Sequence, residues 1–265
     1  MRAPRGETAA STSADRAALP PVLHLHGSTP RRSAVPEGCR VYAVGDVHGR
    51  ADLLEALFAR IDADTAARKA VRPVEIYLGD YIDRGPRSRD VVDLMIARRA
   101  ARETVQLRGN HETYIVRFLD DPGLLRTWRR FGGLETLLSY GLRPSLNPDD
   151  DELAALSAAL KEVLPAEHLA FFRALPTKFS LGDFFFVHAG VKPGVPLAAQ
   201  DDQDLIWIRD PFLMHDGLYE KTVVHGHTPV PEPEVKRNRI DIDTGAFATG
   251  RLTCLVIEGQ TLAWL

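Results

Sequence analysis

The sequence VYAVGDVHGR at residues 41–50 and its two later counterparts, VEIYLGDYIDRG at 74–85 and VQLRGNHE at 105–112, decide the fold. Each begins with an apolar run typical of a buried strand, passes through a glycine turn and leads into a segment with helical spacing of apolar residues. Strands that alternate with helices in this way are typical of a layered domain. The three stretches therefore predict an α/β fold.

The rest of the chain extends this pattern into one domain. Residues 1–37 are rich in Ala, Arg, Ser, Thr and Pro and hold few large apolar groups that could offset the entropy of ordering them. We therefore assign 1–37 to a disordered N-terminal tail and 38–265 to a single domain. The expected elements are strands at 40–44, 74–78 and 104–107, helices over 50–63 and from Pro86 or Ser88, a helical insertion at 123–175, and a strand-rich region from Lys178 onward.

The composition excludes several classes of protein. The 265 residues carry 33 Lys and Arg against 36 Asp and Glu, a formal net charge of −3, so nothing favours broad attraction to nucleic acid or to acidic membranes. Cys39 and Cys254 are too few for a disulfide framework. No stretch approaches the ~18 apolar residues of a membrane span, and no apolar core marks a signal peptide. We expect a cytoplasmic protein that binds neither membranes nor nucleic acid.

Each of the three turns carries a metal-competent side chain next to glycine. Two later turns, VHAG at 187–190 and VHGHT at 224–228, repeat this arrangement after apolar runs. Ligands of open α/β sheets bind at the carboxyl ends of the strands, so we expect these side chains to converge. The candidate ligands are Asp46, His48, Asp80, Asn110, His188 and His227.

This donor set mixes carboxylate, imidazole and amide oxygen and contains no thiolate. It suits divalent metals such as Mn, Fe or Zn better than a calcium site or a structural zinc site. One carboxylate between two ions can bridge them, and paired ions clamp the phosphoryl group in an in-line displacement. We therefore expect two divalent metal ions, with Mn favoured and Fe or Zn as alternatives, and assign the bridging role to Asp80.

Taken in order, GDVHG, GDYIDRG, LRGNHE, HAG and HGHT resemble the signature of the PPP family of metal-dependent serine/threonine protein phosphatases, within the calcineurin-like metallophosphoesterases. The resemblance is to the bacterial and bacteriophage lambda type and spans residues 40–265. One short motif alone is weak, whereas five in this order and spacing are specific. The resemblance implies a four-layer αββα metallophosphoesterase sandwich with a helical insertion.

The resemblance also implies which ion each candidate ligand binds. The implied ligands of the first ion are Asp46 and His48, with Asp80 shared between both ions. The implied further ligands of the second ion are Asn110, His188 and His227. His227 is preferred to His225 because it follows glycine, as in the family's GH motif.

Five further residues match the family's catalytic positions. Asp83 and His111 match an acid pair in which the carboxylate orients the imidazole and the imidazole protonates the leaving alkoxide. Arg84 and Arg108 match phosphate-facing arginines, whose planar guanidinium groups can each hold two phosphate oxygens. Arg209, in LIWIRDPF at 205–212, matches another phosphate contact of the bacterial members.

The implied reaction is hydrolysis of phosphoserine or phosphothreonine in proteins by in-line attack of a metal-bridging hydroxide, with phosphotyrosine activity open. The partner is then a phosphoprotein or phosphopeptide substrate, and we expect a monomer or weak oligomer. The alternative is a nucleotide phosphohydrolase such as a symmetrical diadenosine tetraphosphate hydrolase, which shares fold and metals. Such enzymes typically depart from D-R-G and follow GNH with Asp, so Asp83, Arg84 and Glu112 favour the protein phosphatase. A non-catalytic scaffold is disfavoured because every expected position is occupied.

Several other residues have plainer interpretations. His225 is interpreted as structural or as a residue that contacts the metal ligands without binding metal, and Asp243 and Thr244 are expected near the site. The segment WRRFGGLETLLSYG at 128–141 resembles a segment of the bacterial PPP members, and an alternative is that it shapes the rim of the substrate cleft. Its apolar residues recur at helical spacing and are interpreted as core-facing: Trp128, Phe131, Leu134 and Leu137.

Overall fold

The structure, a computed structural model, describes residues 22–23, 33–68 and 71–265. The predicted disordered tail lies for the most part outside these residues. From Ser33 onward the chain packs on the domain, since Val35 is buried and its backbone N–H donates to the Gly259 carbonyl at 3.0 Å. The packed part of the chain thus reaches beyond the boundary predicted at residue 38.

Eleven described strands form two mixed sheets. In chain order they are β1 (Val22–Leu23), β2 (Cys39–Val44), β3 (Arg72–Tyr77), β4 (Thr104–Gln106), β5 (Lys178–Leu181), β6 (Phe184–Val187), β7 (Thr222–His225), β8 (Glu234–Val235), β9 (Arg239–Asp241), β10 (Cys254–Glu258) and β11 (Thr261–Trp264). The first sheet has the order β1-β11-β10-β2-β3-β4 and the second β5-β6-β7-β9-β8. The strands β2, β3 and β4 are parallel, as are β6, β7 and β9, and the remaining pairings are antiparallel.

Ten described α-helices complete the fold. They are α1 (Ala51–Ala67), α2 (Ser88–Ala101), α3 (Asn110–Phe118), α4 (Leu125–Trp128), α5 (Gly133–Ser139), α6 (Asp150–Val163), α7 (Ala166–Ala174), α8 (Asp202–Trp207), α9 (Asp210–Leu213) and α10 (Ala246–Thr249). The helices α4 to α7 are the predicted helical insertion. Within the described chain, no helix combines the length and the apolar character of a membrane span.

The strand β2 shows why the first sheet is buried on both faces. Tyr42 and Val44 pack against the helices α1 to α3, whereas Val41 and Ala43 pack against the second sheet. Successive side chains of a strand point to opposite faces, so a strand between two cores is apolar throughout. Burial of β2 on both faces therefore explains the continuous apolar run before the first turn.

The strand β6, FFFV, repeats this division in the second sheet. Phe184 and Phe186 fill the space between the sheets, while Phe185 and Val187 pack with Phe212 of α9 and its neighbours. Each of these buried side chains contributes about 1.5–3 kcal/mol relative to exposure. The order of layers is therefore helices, sheet, sheet and helices, and the predicted α/β sandwich is confirmed.

Candidate active site

The turns that follow β3 and β4 touch each other at one rim of the first sheet. A Cβ atom on Gly79, whose φ is +107°, would lie 2.4 Å from the backbone nitrogen of Gly109. A Cβ atom on Gly109 would lie 2.0 Å from Oδ1 of Asp80. Because no side chain fits at either position, glycine is what lets the two turns approach this closely.

Unusual backbone conformations are concentrated at this rim. Left-handed φ costs a non-glycine residue about 1–3 kcal/mol and persists where the surroundings enforce it. All of the described non-glycine residues with positive φ are predicted site residues, so the strain coincides with the predicted chemistry. They are His48 (46°), Asp80 (53°), Asp83 (73°), Arg84 (67°) and His227 (68°).

The first donor group consists of His48, Asp80 and His111, whose ligand atoms lie within 4.8 Å of one another. The Nδ1–H of His48 donates to the Ile82 carbonyl at 2.8 Å. This bond leaves the Nε2 lone pair of His48 facing Oδ2 of Asp80 at 3.5 Å. A histidine whose other N–H is held by a backbone carbonyl has the usual arrangement of a metal ligand.

The second donor group consists of Asp80, His188 and His227. The Nδ1–H of His188 donates to the Leu78 carbonyl at 2.9 Å. The His188 Nε2 then lies 3.0 Å from Asn110 Oδ1, 3.1 Å from His227 Nδ1 and 3.4 Å from Asp80 Oδ1. Nitrogen and oxygen lone pairs therefore converge on one small space, which suits a divalent cation better than a set of hydrogen bonds.

The protonation states of these groups also suit metal binding. Burial lowers the pKa of His48 and of His188, and it lowers the pKa of His227 to about 2. Burial alone would raise the pKa of Asp80, but the surrounding histidines, His111 foremost, outweigh it and lower that pKa. Neutral imidazole and ionised carboxylate are the forms in which these side chains bind metals.

Asp46 stands beside the two donor groups and is in neither of them. Its carboxylate accepts the backbone N–H of His227, with both oxygens at 3.2 Å. Burial, together with the charges of Asp243 and Asp80, raises the pKa of Asp46 well above its usual value. Asp243 thus lies near the site as expected, and the assignment of Asp46 as a ligand stays a prediction.

His111 is paired with Asp83 as the resemblance implies. The Nδ1–H of His111 donates to Oδ2 of Asp83 at 2.6 Å, and both side chains are buried. Burial lowers the pKa of His111, but the charge of Asp80 and the bond to Asp83 outweigh it, so the pKa is raised. The His111 Nε2 lies 3.7 Å from Oδ2 of Asp80. This placement fits an acid and also a ligand, so the acid role stays a prediction.

The three predicted phosphate-binding arginines have no carboxylate partner within the described part of the chain. The Cζ of Arg84 lies 4.6 Å from the centroid of the Phe247 ring. Arg209 donates from Nη1 to Oγ1 of Thr228 at 3.1 Å, and Arg108 donates from Nη2 to a carbonyl of α7 at 3.4 Å. Their charges are therefore available to an anion, and their roles stay predictions.

Glu112, used above only to distinguish two classes of enzyme, also has a structural role in the site. Its carboxylate accepts the backbone N–H groups of Gly109 at 2.8 Å, Asp80 at 3.0 Å and Tyr81 at 2.8 Å. It thereby ties the Asp80 turn to the start of α3. A signal was present, since an acidic residue at the third position of a helix often reaches back to the free N–H groups of the N-terminus.

His225 lies outside both donor groups. Its Nδ1–H donates to the Gly226 carbonyl at 3.1 Å, and its ring packs edge-on against Phe212 with the centroids 4.8 Å apart. The structure thus brings His227, and not His225, to the candidate ligands.

Two donor groups with one carboxylate in common suit two divalent cations, and the nearby unpaired arginines suit a phosphate between them. Fold and site together define a metal-dependent phosphoesterase. The family profile of the calcineurin-like phosphoesterases matches residues 39–248, and the chain belongs to this family. Phosphoesterases of this family use a dinuclear metal centre, for which candidate ligands are present here.

Comparison with individual proteins gives the following similarities. The chain is 24% identical over 245 residues to the asymmetrical bis(5'-nucleosyl)-tetraphosphatase PrpE of Bacillus thuringiensis (strain Al Hakam), which covers 80% of this chain and 88% of that protein. It is similar to the structure described as "Crystal structure of a putative diadenosine tetraphosphatase", with a TM-score of 0.57, 19% identity and coverage of 88% and 97%. It is also similar to a mutant cold-active protein tyrosine phosphatase, with a TM-score of 0.56, 18% identity and coverage of 86% and 80%. At these identities the solved structures show a shared fold.

Proposed function

We propose that the chain is a metal-dependent nucleotide phosphohydrolase that cleaves a phosphoanhydride bond of a dinucleoside tetraphosphate. The alternative given above was a nucleotide phosphohydrolase such as a symmetrical diadenosine tetraphosphate hydrolase. The similarity to the asymmetrical PrpE tetraphosphatase over most of both chains supports this substrate class, with asymmetrical cleavage. The observation that carries the proposal is the presence of an aromatic ring beside each of the two donor groups.

The two rings are those of Trp207 and Phe247. The Trp207 side chain, 36% exposed, stands edge-on to His227 with the ring centroids 6.3 Å apart. The half-buried Phe247 ring stands edge-on to His48 at 5.5 Å. His48 and His227 belong to different donor groups, so each ring borders a different part of the cluster. Aromatic side chains are stacking surfaces for nucleobases, and a dinucleotide offers a base at either end of its phosphate chain.

The residues around the cluster can be given consistent roles in this reaction. Two divalent ions, when bound, would neutralise phosphate oxygens and lower the pKa of a water molecule. Arg84 and Arg209 hold the phosphate chain by their guanidinium groups, which no carboxylate of the described residues neutralises. The water molecule loses one proton to solvent and its oxygen bonds to phosphorus as the bond between phosphorus and the bridging oxygen breaks. His111 gives the departing phosphate a proton, which solvent then restores to the imidazole.

A second candidate function is the protein phosphatase of the sequence analysis. The buried pair of Asp83 and His111 favours it, because a serine or threonine alkoxide is far more basic than a departing phosphate and depends more on an acid. The D-R-G motif at 83–85 also favours this candidate, because it resembles the corresponding motif of the PPP phosphatases. The two candidates share the metal chemistry and differ in the leaving group.

Metal-depleted protein assayed with and without added Mn²⁺ tests the proposal. The expected result is Mn-dependent cleavage of diadenosine tetraphosphate into ATP and AMP, with little phosphate released from a phosphothreonine peptide. Formation of two ADP molecules would keep the substrate class and change the cleavage position. Preferential release of phosphate from the peptide would reject the proposal in favour of the second candidate.

The role of Trp207 is tested by replacing it. Loss of base stacking costs about 1–3 kcal/mol, so Trp207→Ala is expected to raise the KM for diadenosine tetraphosphate by about 5-fold to 150-fold. Trp207→Phe keeps an aromatic ring, so its KM is expected to lie between those of the wild type and of Trp207→Ala. The KM for inorganic tripolyphosphate, which has phosphoanhydride bonds and no ring that could stack, serves as the control. An equal rise with both substrates would remove the stacking role.

A further inference from the structure

The carboxylate of Asp83 is fully buried and accepts hydrogen bonds from three side chains. Its Oδ2 accepts the His111 Nδ1–H at 2.6 Å and the Trp128 Nε1–H at 2.7 Å. Its Oδ1 accepts the Thr136 hydroxyl at 2.5 Å. Trp128 ends α4 and Thr136 lies in α5, so two of the three donors come from the helical insertion. Three fixed donors give the carboxylate one orientation, because rotation would break them together.

Thr136 also holds the backbone of Asp83. Its Oγ1 accepts the Asp83 N–H at 2.9 Å while its proton goes to the Asp83 carboxylate. The Ser88 hydroxyl oxygen accepts the same N–H at 3.0 Å. Asp83 has a φ of 73°, a conformation that needs such enforcement. Thr136 thus holds both the backbone and the carboxylate of Asp83, the residue that orients His111.

The indole of Trp128 is held by packing on several sides. It is fully buried, lies parallel to the Tyr114 ring with the centroids 6.4 Å apart, and packs against Phe118 at 5.5 Å. A Cβ atom on Gly133 would lie 2.5 Å from Cδ2 of the indole, so the glycine leaves room for the ring. The position of the indole N–H is therefore set by the surrounding helices.

We propose that Trp128 and Thr136 are positioning residues for His111. By fixing the Asp83 carboxylate they keep one proton of His111 on Nδ1 and direct its Nε2 toward the donor groups. The inference rests on the proposed hydrolysis in one respect, the transfer of the Nε2 proton of His111 to the leaving oxygen. The helical insertion then contributes to the chemical step in addition to filling the core.

The first test needs no substrate. Proton NMR of the full chain is expected to show a low-field resonance from the Nδ1 proton of His111, identified by its loss in His111→Asn. Trp128→Phe and Thr136→Val are expected to shift this resonance upfield or to lose it by exchange with water. Thr136→Ser, which keeps the hydroxyl, and Trp264→Phe, which removes an indole N–H in β11, are expected to preserve it. An unchanged resonance in both Trp128→Phe and Thr136→Val would overturn the proposal.

The second test uses leaving groups of different basicity. Loss of a well-placed acid costs most when the leaving oxygen is basic, so Trp128→Phe is expected to slow the hydrolysis of phenyl phosphate about tenfold more than that of 4-nitrophenyl phosphate. Thr136→Val is expected to act in the same direction, with Thr136→Ser near the wild type and Trp264→Phe unchanged. Equal slowing with both substrates would show a packing role only and reject the proposal.

Failure of the proposed function and failure of the positioning role give different results. Wild-type protein that cleaves neither the dinucleotide nor the aryl phosphates would reject the function, while the NMR comparison would still decide the role of Trp128 and Thr136. Thermal unfolding of each variant checks its folding. If Trp128→Phe does not fold, the nearly isosteric Thr136→Val decides the question.

Discussion

The strand-end turns and the helical insertion at 123–175 bring polar groups to the same cluster in different ways. The turns carry side chains such as Asp80 and His188 beside glycine, in short motifs whose chemistry is visible in the sequence. In the insertion, Trp128 and Thr136 stand among apolar residues with helical spacing, and both are buried. Their hydrogen bonds to Asp83 show that helices which fill a core can also orient a site. Periodicity reports only the first of these roles.

The largest effect is expected from Asp80→Ala, which removes a candidate ligand from one of the strand-end turns. Asp80 belongs to both donor groups, so its loss is expected to abolish activity and to remove bound metal. Metal analysis of the purified variant, together with the hydrolysis rate, measures both. Asp120→Ala, which removes an exposed carboxylate 3.8 Å from Nζ of Lys161, is the matched control and is expected to keep both. Two ions retained by Asp80→Ala would contradict a shared ligand.

The next largest effect is expected from His111→Asn, where the turns and the insertion meet through Asp83. Loss of a general acid is expected to lower the turnover of phosphate esters by about 10²-fold to 10⁴-fold with metal content near normal. Steady-state rates and metal analysis on the same preparation check this division. Loss of metal in the variant would instead make His111 a ligand, as its place in the first donor group permits.

A smaller effect is expected on the stability of the metal-free protein. Burial raises the pKa of Asp241 to about 8, and it raises that of Asp46 well above the usual value. Between about pH 7.5 and 8 the folded protein therefore holds protons that the unfolded chain, with an Asp pKa of about 3.9, has released. Histidines with a lowered pKa, such as His188, are neutral in the folded protein and largely neutral in the unfolded chain above about pH 7.5, so they do not oppose this effect there. The free energy of unfolding should thus fall as the pH rises.

Thermal unfolding of the metal-depleted protein at several pH values in this window measures the effect. Protein loaded with Mn²⁺ is the comparison, because bound cations favour the ionised carboxylates in the folded state. The midpoint temperature of the metal-free protein is expected to decline toward pH 8, and that of the loaded protein to change less. A metal-free protein that grows more stable over this window would contradict the assignment of buried, protonated carboxyls.

The smallest effect is expected at the outer side of the insertion. The Asp149 carboxylate caps α6 by accepting the Glu152 N–H at 2.9 Å. Asp149→Ala is expected to lower the free energy of unfolding by about 1 kcal/mol, measured by urea denaturation, and to leave activity unchanged. Altered activity of Asp149→Ala would show that the insertion affects the site through more than Trp128 and Thr136, the two residues that contact Asp83.

Much of the fold could be predicted because strand periodicity and glycine turns are local properties. The strands β2 to β4 and the helices α1 to α3 lie where the three opening stretches predict them, and β5 begins at Lys178. The helices α8, α9 and α10 interrupt the region predicted as strand-rich. They have six, four and four residues, and such short segments show no helical period.

The candidate site was predictable in its residue types and less so in its contacts. His48, Asp80 and His188 could be found because they stand in motifs next to glycine. The bond from Trp128 to Asp83 and the place of Trp207 beside His227 join distant parts of the chain, and no local pattern reports them. The substrate class was difficult to predict from the sequence for another reason. The motifs specify metal and phosphate chemistry, and both protein phosphatases and nucleotide hydrolases need that chemistry.

The donor groups also set an order of events during synthesis of the chain. Asp80 follows a strand of the first sheet and His227 a strand of the second, so the second group is incomplete until the ribosome has passed His227. The strand β2 pairs with β10 (Cys254–Glu258) near the end of the chain. A nascent chain that stops short of His227 therefore lacks the second donor group, and only the first group is then complete around Asp80.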